Sequence, residues 1–483
     1  MPAVALLSWP LIALGIFFAL GPGRGMIWTL LVGFLFLPEE YGFDLPALPP
    51  YEKYSVISLS LVLGILLTRK REEEPPELID PLVRTVISVL IGTLFLGMAA
   101  TVFDNPDPIV RGGRFQSGHG IRELINFTSD TLILMIPFFL GRRWLADPEI
   151  HKEFLRAIVI LAVIYSLAVI FERRMSPRLN RWLYGLEMDA WRQHLRGGGF
   201  RAMVFLNHGL VIGYFYLCAV LAAVGLSRAS TGNARIAYGF AAVWLFITLF
   251  LSRNTGALFL AILFAPALAM FSRRMLLSTM TAVAFLFMFY PAAQQAHLIP
   301  NQRIVALVEN LSAERAESIQ FRFLNEEGLL ARALEKPVFG WGGWGRNRVV
   351  DEIGRDISTP DGIWIIRLGQ FGWVGYISYF GLLTLPLVLL WRRRTIPMAT
   401  LTLAMITSAN MVYLLPNSTL GVLAWMVAGT TVGFLQYGRK KETAETPSAE
   451  PAPQDPTLRR SVYSRFPTGP AQQATAYRRN LSR

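Results

Sequence analysis

Apolar runs separated by short polar connectors dominate this chain, and several of them approach or exceed the ~17–25 residues that carry a helix across a bilayer. They fall at roughly 4–20, 26–37, 54–68, 85–103, 124–141, 155–171, 203–226, 236–251, 255–271, 275–293, 362–390, 398–415 and 419–436. The second is short enough to be half-buried or re-entrant, so 12 or 13 crossings are expected. The fold class is therefore all-α and polytopic. Composition agrees: of 483 residues, 53% are hydrophobic and 16% charged, against about 25% charged in an average soluble domain. A soluble enzyme, a collagen-like or coiled-coil chain and a disulfide-stapled scaffold are all excluded. The lone cysteine, Cys218, lies inside an apolar run and can form neither an internal disulfide nor a CxxC metal site. The start, MPAVALL, lacks a basic n-region and GPGRG at 21–25 reads as a loop, so no cleavable signal peptide is expected.

Short connectors rich in Lys and Arg set the orientation. Those carrying Arg69, Lys70 and Arg71, Arg142 and Arg143, Arg273 and Arg274, and Arg392, Arg393 and Arg394 fall on one side, which is expected to be cytoplasmic. The other side receives the segment 38–53, the loops 104–123 and 172–202, and the long loop 294–361. Residues 1–437 form the membrane domain. From 438 onward, loss of apolar residues and a Pro/Ala/Glu-rich composition predict a disordered cytoplasmic tail.

The formal charge is +13, with 40 arginines and 6 lysines. A GC-rich genome produces such a bias without function, so the positions of the arginines matter more than their number. No basic soluble domain is present, and nucleic-acid binding is not expected. The loop 172–202 departs from the positive-inside pattern, with Arg173, Arg174, Arg178, Arg181, Arg192, Arg196 and Arg201 against Glu172, Glu187 and Asp189. An anionic headgroup or pyrophosphate would want them there. A surface-lying amphipathic helix would also accommodate them, with Trp182, Tyr184 and Trp191 as interfacial anchors.

Four motifs stand out in order. In Arg201-Ala-Met-Val-Phe-Leu-Asn207-His208 an arginine meets the outer end of a span, with Asn-His about two turns inside. Leu251-Ser252-Arg253-Asn254-Thr255-Gly256 is a turn between two short spans. Phe321-Arg322-Phe323 precedes Lys336-Pro337-Val338-Phe339-Gly340-Trp341-Gly342. Last come Asp361-Gly362-Ile363-Trp364 and Leu368-Gly369-Gln370-Phe371-Gly372-Trp373-Val374-Gly375. Parity places Arg201, Arg253, Arg322 and Asp361 on one face. Arginines at membrane depth are costly and tend to mark a polar site. Converging arginines suit a diphosphate leaving group, and Asp361 suits acceptance of a hydroxyl proton. Each has a plainer reading: Arg253 as a hairpin cap, Arg322 as a solvated loop charge, Asp361 as a helix N-cap, His208 as a packing residue. No His/Cys spacing suggests a metal. Gly340-Trp341-Gly342-Gly343-Trp344-Gly345 matches GxGxxG, but no strand precedes it. Tight turns with Trp341 and Trp344 at the membrane interface are expected instead.

Taken together, the motifs from about 200 to 415 resemble the O-antigen ligase / O-antigen polymerase (Wzy-like) family of bacterial envelope enzymes. That resemblance implies a GT-C-like inner-membrane glycosyltransferase with short helices in its long periplasmic loop and its active site on the periplasmic face. It implies a donor glycan on undecaprenyl diphosphate and an acceptor that is either a growing glycan or lipid A–core. No cofactor is implied, and a chain-length regulator is an expected partner. Arg201, Arg253 and Arg322 match the family's diphosphate-binding arginines, with Asn207 and His208 beside them. Ligases of the family often carry a His where the span after the long loop begins. Here that position is Asp361, which tilts the reading toward repeat-unit polymerisation over ligation. A lipid-linked saccharide transporter or assembly scaffold is the competing class. Transporters place polar groups along the spans at mid-membrane, whereas here they gather at one face.

Overall fold

A computed structural model describes residues 1–44, 49–69, 77–187, 195–196, 199–310 and 312–438. The expected tail, together with Lys70, Arg71, Asp189, Trp191 and Arg192, lies outside the described residues. Arg196 is described only as backbone.

The predicted runs emerge as helices. Among the described residues eight are long and apolar enough to cross a membrane: α1 (Pro2–Phe36), α3 (Pro81–Phe103), α4 (Ile121–Trp144), α5 (Pro148–Met175), α7 (Gly209–Ala229), α8 (Gly232–Leu251), α10 (Arg273–Gln295) and α13 (Ile363–Leu389, extended by a 3-10 turn to Arg392). Four shorter apolar helices accompany them: α2 (Lys53–Thr68), α9 (Thr255–Met270), α14 (Met398–Tyr413) and α15 (Val422–Gln436). The chain is thus a mostly helical, multi-pass membrane protein.

Many helix starts follow local chemistry. Asp80, Asp147, Asn254 and Ser272 each accept a backbone N–H from the first turn of α3, α5, α9 and α10, and proline opens α3 and α5. Helix α1 is not straight. Gly21 sits at φ +75°, ψ 173°, and the two arms fold back on each other: a Cβ on Gly25 would meet Phe17, and one on Gly33 would meet Trp9. The short run at 26–37 is therefore the second arm of a helical hairpin. Helices α7, α14 and α15 are buried almost throughout, as is most of the second arm of α1, whereas the first arm of α1 and α8 leave most of their residues outside the core. Helices α4 and α15 approach through Gly429 and Gly433, four residues apart; a Cβ on either would lie within 2.4 Å of a carbonyl oxygen of α4.

The basic connectors meet at one end of the bundle. Arg392 pairs with Asp80 at 2.8 Å, Arg393 donates to the Phe434 and Leu435 carbonyls at 2.7 Å, Arg142 bonds Gln436, and Arg273 reaches the carbonyls of Arg393 and Arg394. A two-residue ladder joins Glu77–Leu78 to Tyr437–Gly438 there.

At the other end, the loop 294–361 carries α11 (Asn301–Glu309) and α12 (Ala313–Leu334). The hairpin of β4 (Ile109–Arg111) and β5 (Arg114–Gln116) covers its later part. Arg111 donates to the Arg346 and Arg348 carbonyls at 2.9 Å, and Arg346 donates to the Ser117 carbonyl at 2.7 Å. Helix α13 is broken at Gly372, φ +61°. The break is laced by main chain. Trp373 and Val374 N–H groups donate to the Pro337 and Val338 carbonyls at 2.7 and 3.2 Å, while Trp341 and Gly342 N–H groups donate to Gly369 and Gln370 at 2.9 and 2.8 Å. Two of the four sequence motifs are thus halves of one structural device. The glycine-rich run is a set of turns, with Gly340, Gly342 and Gly345 at positive φ. Trp341 is half-buried, with Arg332 stacked on its ring at 3.3 Å, while Trp344 is exposed.

Candidate functional site

Two expectations about the first motif change. The span predicted from 203 begins only at Gly209, so Asn207 and His208 precede the helix rather than lying two turns inside it. Residues 201–206 are buried and non-helical, with Val204 at φ +55°. Non-helical backbone at membrane depth persists only where protein satisfies its polar groups. Here the buried Glu172 carboxylate, at the end of α5, accepts N–H bonds from Leu179, Met203 and Val204 at 3.0, 2.9 and 2.7 Å. Lys53 Nζ donates to the Phe205 carbonyl at 3.0 Å and pairs with Glu39 at 2.6 Å. Tyr54 donates to the same Glu39 at 2.7 Å. The Arg-rich loop yields one six-residue helix, α6 (Leu179–Tyr184), rather than a longer amphipathic one among its described residues.

The starts of α7, α9 and α13 gather around the end of α14. His208 caps α7, its Nδ1 accepting from Leu210 N at 3.0 Å. The Asn254 amide donates to the Gly209 carbonyl and to the Tyr413 hydroxyl, both at 3.1 Å, and Tyr413 donates to the Leu210 carbonyl at 2.8 Å. Ile363 N–H bonds the Asn417 carbonyl at 3.1 Å. Three positive helix-dipole ends thus share one neighbourhood.

The predicted arginines surround it. Arg201, 8% exposed, runs against Gly209, where a Cβ would lie 2.4 Å from its Cδ. Arg253 takes a left-handed backbone, φ +57°, at the turn into α9. Its guanidinium and that of Arg173 flank Gly199, where a Cβ would lie 2.8 and 2.7 Å from their nitrogens. Arg322 on α12 donates to the Pro416 carbonyl at 3.1 Å and pairs with Asp361 at 3.2 Å. The Tyr413 hydroxyl lies in the field of both Arg201 and Arg322.

Asp361 is not the helix cap: Gly362 occupies that position and no side chain caps α13. Burial raises the Asp361 carboxyl above the ordinary Asp value, and Arg322 opposes that shift. Asn207, His208 and Asp361 line a common cavity of about 530 Å³. Among the described residues none of the three arginines lines it, and Arg322 reaches it through its ion pair with Asp361. All six predicted residues therefore sit at one end of the bundle, divided between a basic side and the cavity.

Sequence reasoning missed Glu326. It lies one turn past Arg322 on the amphipathic α12, a signal legible in the spacing. Its carboxylate accepts from Tyr290 Oη at 3.1 Å and Trp364 Nε1 at 3.4 Å. Burial pushes its pKa up to about 7, against the hydrogen bonds and Arg322, and with Asp361 adding to the rise. Tyr413, Glu172 and Asp130 were missed as well. Among the described residues no group of three His, Cys, Asp or Glu could hold a metal ion.

No family model, curated protein or solved structure matches this chain.

Proposed function

We propose that the chain is a GT-C-like membrane glycosyltransferase of the bacterial inner membrane, with 12 or 13 crossings and its site on the periplasmic face. It moves a glycan from undecaprenyl diphosphate to an acceptor hydroxyl, and polymerisation of repeat units is the favoured form of that reaction. One observation carries the reading: Arg201, Arg253 and Arg322 converge with three helix N-termini beside Asp361. Fixed positive charge of this kind stabilises a departing diphosphate. The basic connectors at the far end support a cytoplasmic placement of that end.

In this mechanism the acceptor oxygen attacks the anomeric carbon as the bond to the diphosphate oxygen breaks, with inversion. The hydroxyl proton passes to Asp361, and the electron pair leaves with the diphosphate. Arg322 connects the two halves. A diphosphate competes with Asp361 for its guanidinium, and loss of that partner raises the proton affinity of the carboxylate when the substrate arrives.

The test reconstitutes purified protein with an undecaprenyl-diphosphate oligosaccharide, with and without lipid A–core, and follows products by gel and mass. A ladder of lipid-linked multiples supports the polymerase. Transfer only with lipid A–core present means ligation. Absence of any new glycosidic product from a matched native substrate refutes the enzyme and leaves the saccharide transporter.

A further inference from the structure

At the basic end of the bundle most arginines are held by the chain itself. Arg392 pairs with Asp80, while Arg393 and Arg273 donate to backbone carbonyls. Arg84 differs. It stands four residues into α3, inside a segment apolar enough to cross the membrane, and its side chain is exposed. Among the described residues its guanidinium makes no hydrogen bond and no ion pair, and it lies in the field of Arg142. A cation within a span is costly unless an anion or water meets its head. Two more arginines stand close by. Arg142 and Arg143 both face Tyr437, which is the ladder partner of Leu78, and Leu78 shares a groove with Arg84.

That groove, of about 480 Å³, is lined by Leu78, Pro81, Arg84, Thr85, Ser88 and Val89. The outer face of α3 continues it with an ordered change in chemistry. Ser88 is exposed and its hydroxyl makes no hydrogen bond among the described residues, although it stands in an apolar span. Gly92 follows, where an added Cβ would meet nothing within 4 Å, and then Leu96, 74% exposed. Positions 84, 88, 92 and 96 are four apart and share one side of the helix, over about 18 Å of its length. From the basic end inward, this side presents a cation, a hydroxyl, bare backbone and an apolar side chain. The order is that of an anionic headgroup followed by an acyl chain.

We propose that this face of α3 binds one anionic phospholipid of the leaflet at the basic end, with Arg84 and Ser88 on its phosphate and an acyl chain over Gly92 and Leu96. The proposal does not rest on the glycosyltransferase reading. Charge complementarity selects the occupant: Arg84, Arg142 and Arg143 gather there, Asp80 is already paired with Arg392, and a phosphate diester supplies the missing negative charge. A zwitterionic headgroup brings its own cation and gains less. The open position at Gly92 leaves a trough in the helix surface wide enough for a methylene chain to lie against backbone.

The delipidated full chain in detergent would be offered phosphatidylglycerol and phosphatidylcholine in equal amounts, and the retained lipid counted by native mass spectrometry. One phosphatidylglycerol is retained at least about fivefold over phosphatidylcholine. Arg84→Gln removes that preference, and Gly92→Leu, which fills the trough, weakens retention of the same lipid. Ser88→Ala serves if Arg84→Gln does not fold. Arg274→Ala, at an exposed arginine of the same end, leaves the preference intact. An equal loss in Arg274→Ala shows diffuse surface charge and overturns the proposal. So does unchanged retention in folded Arg84→Gln, or displacement of the lipid by glycerol 3-phosphate at equal concentration, which makes the site one for free phosphate. Glu72, Glu73 and Glu74 lie outside the described residues; preference that emerges only when all three are changed to glutamine shows that the chain's own acids occupy the site, and equally overturns it.

Discussion

Replacing Glu172 by glutamine removes one proton-free acceptor while keeping the size of the side chain. In the native protein one carboxylate oxygen accepts from Leu179, and the other accepts from both Met203 and Val204. The best amide orientation keeps its oxygen on the Met203–Val204 pair and turns its NH₂ toward the Leu179 N–H. That leaves two donors facing each other, at about 1–3 kcal/mol for the unsatisfied group, and reduces two charge-assisted bonds to neutral ones at about 1 kcal/mol each. The sum is about 3–5 kcal/mol, of which about 2 kcal/mol falls on the backbone of residues 203–204 and the rest on the Leu179 N–H. Hydrogen–deuterium exchange in nanodiscs reads it directly. Met203 and Val204 should exchange about 30-fold faster, since 1.4 kcal/mol is tenfold, while the amides in the centre of α7 change much less. Exchange at 203–204 within a few-fold of wild type would show that Lys53 on the Phe205 carbonyl, and the Tyr165 hydroxyl that accepts the Phe205 N–H at 3.2 Å, hold the segment without Glu172.

Three further outcomes are expected. Because the folded pKa of Glu326 is raised to about 7, its contribution to stability is complete below the unfolded value near 4.3 and lost as pH rises through 7, up to about 4 kcal/mol; a thermal-melt series should show this slope, and Glu326→Gln should flatten it. Arg253→Ala should reduce glycan transfer at least about 100-fold with normal size-exclusion behaviour, and wild-type turnover in that variant would remove the centre of the site. Gly372→Ala puts a Cβ 2.3 Å from the Val338 carbonyl at φ +61° and should cost more than about 2 kcal/mol; Gly92→Ala, whose Cβ meets nothing within 4 Å, is the control in the same melting assay.

Helices were legible because an apolar run in lipid has few alternatives, and even the short run at 26–37 found its place as the arm of a hairpin. The segment 203–208 was not. Ala-Met-Val-Phe-Leu reads locally as more helix, and what holds it open is Glu172, about thirty residues upstream, together with Lys53 and Glu39, some 150 residues away. Arg322 and Asp361 were each visible as charges at span ends. Their ion pair was not, because nothing local distinguishes a helix-capping aspartate from one whose partner lies 39 residues earlier on another helix. Asp130 was visible and passed over, being a single acid within the apolar run at 124–141.

The lacing of the α13 break has a consequence for how this sequence can drift over evolutionary time. All four bonds across it join main-chain groups of Pro337–Gly342 to main-chain groups of Gly369–Val374, so no exchange of one side chain for another deletes them unless proline replaces a donor. Variation is constrained there by volume and backbone freedom, not by functional-group identity. Gly340 and Gly372, where an added Cβ would collide with the facing backbone, form the narrow requirement, while Val338 and Phe339 are free to change for any residue of tolerable bulk. Divergent relatives should therefore share a rhythm of glycines across this junction long after the letters between them have ceased to match.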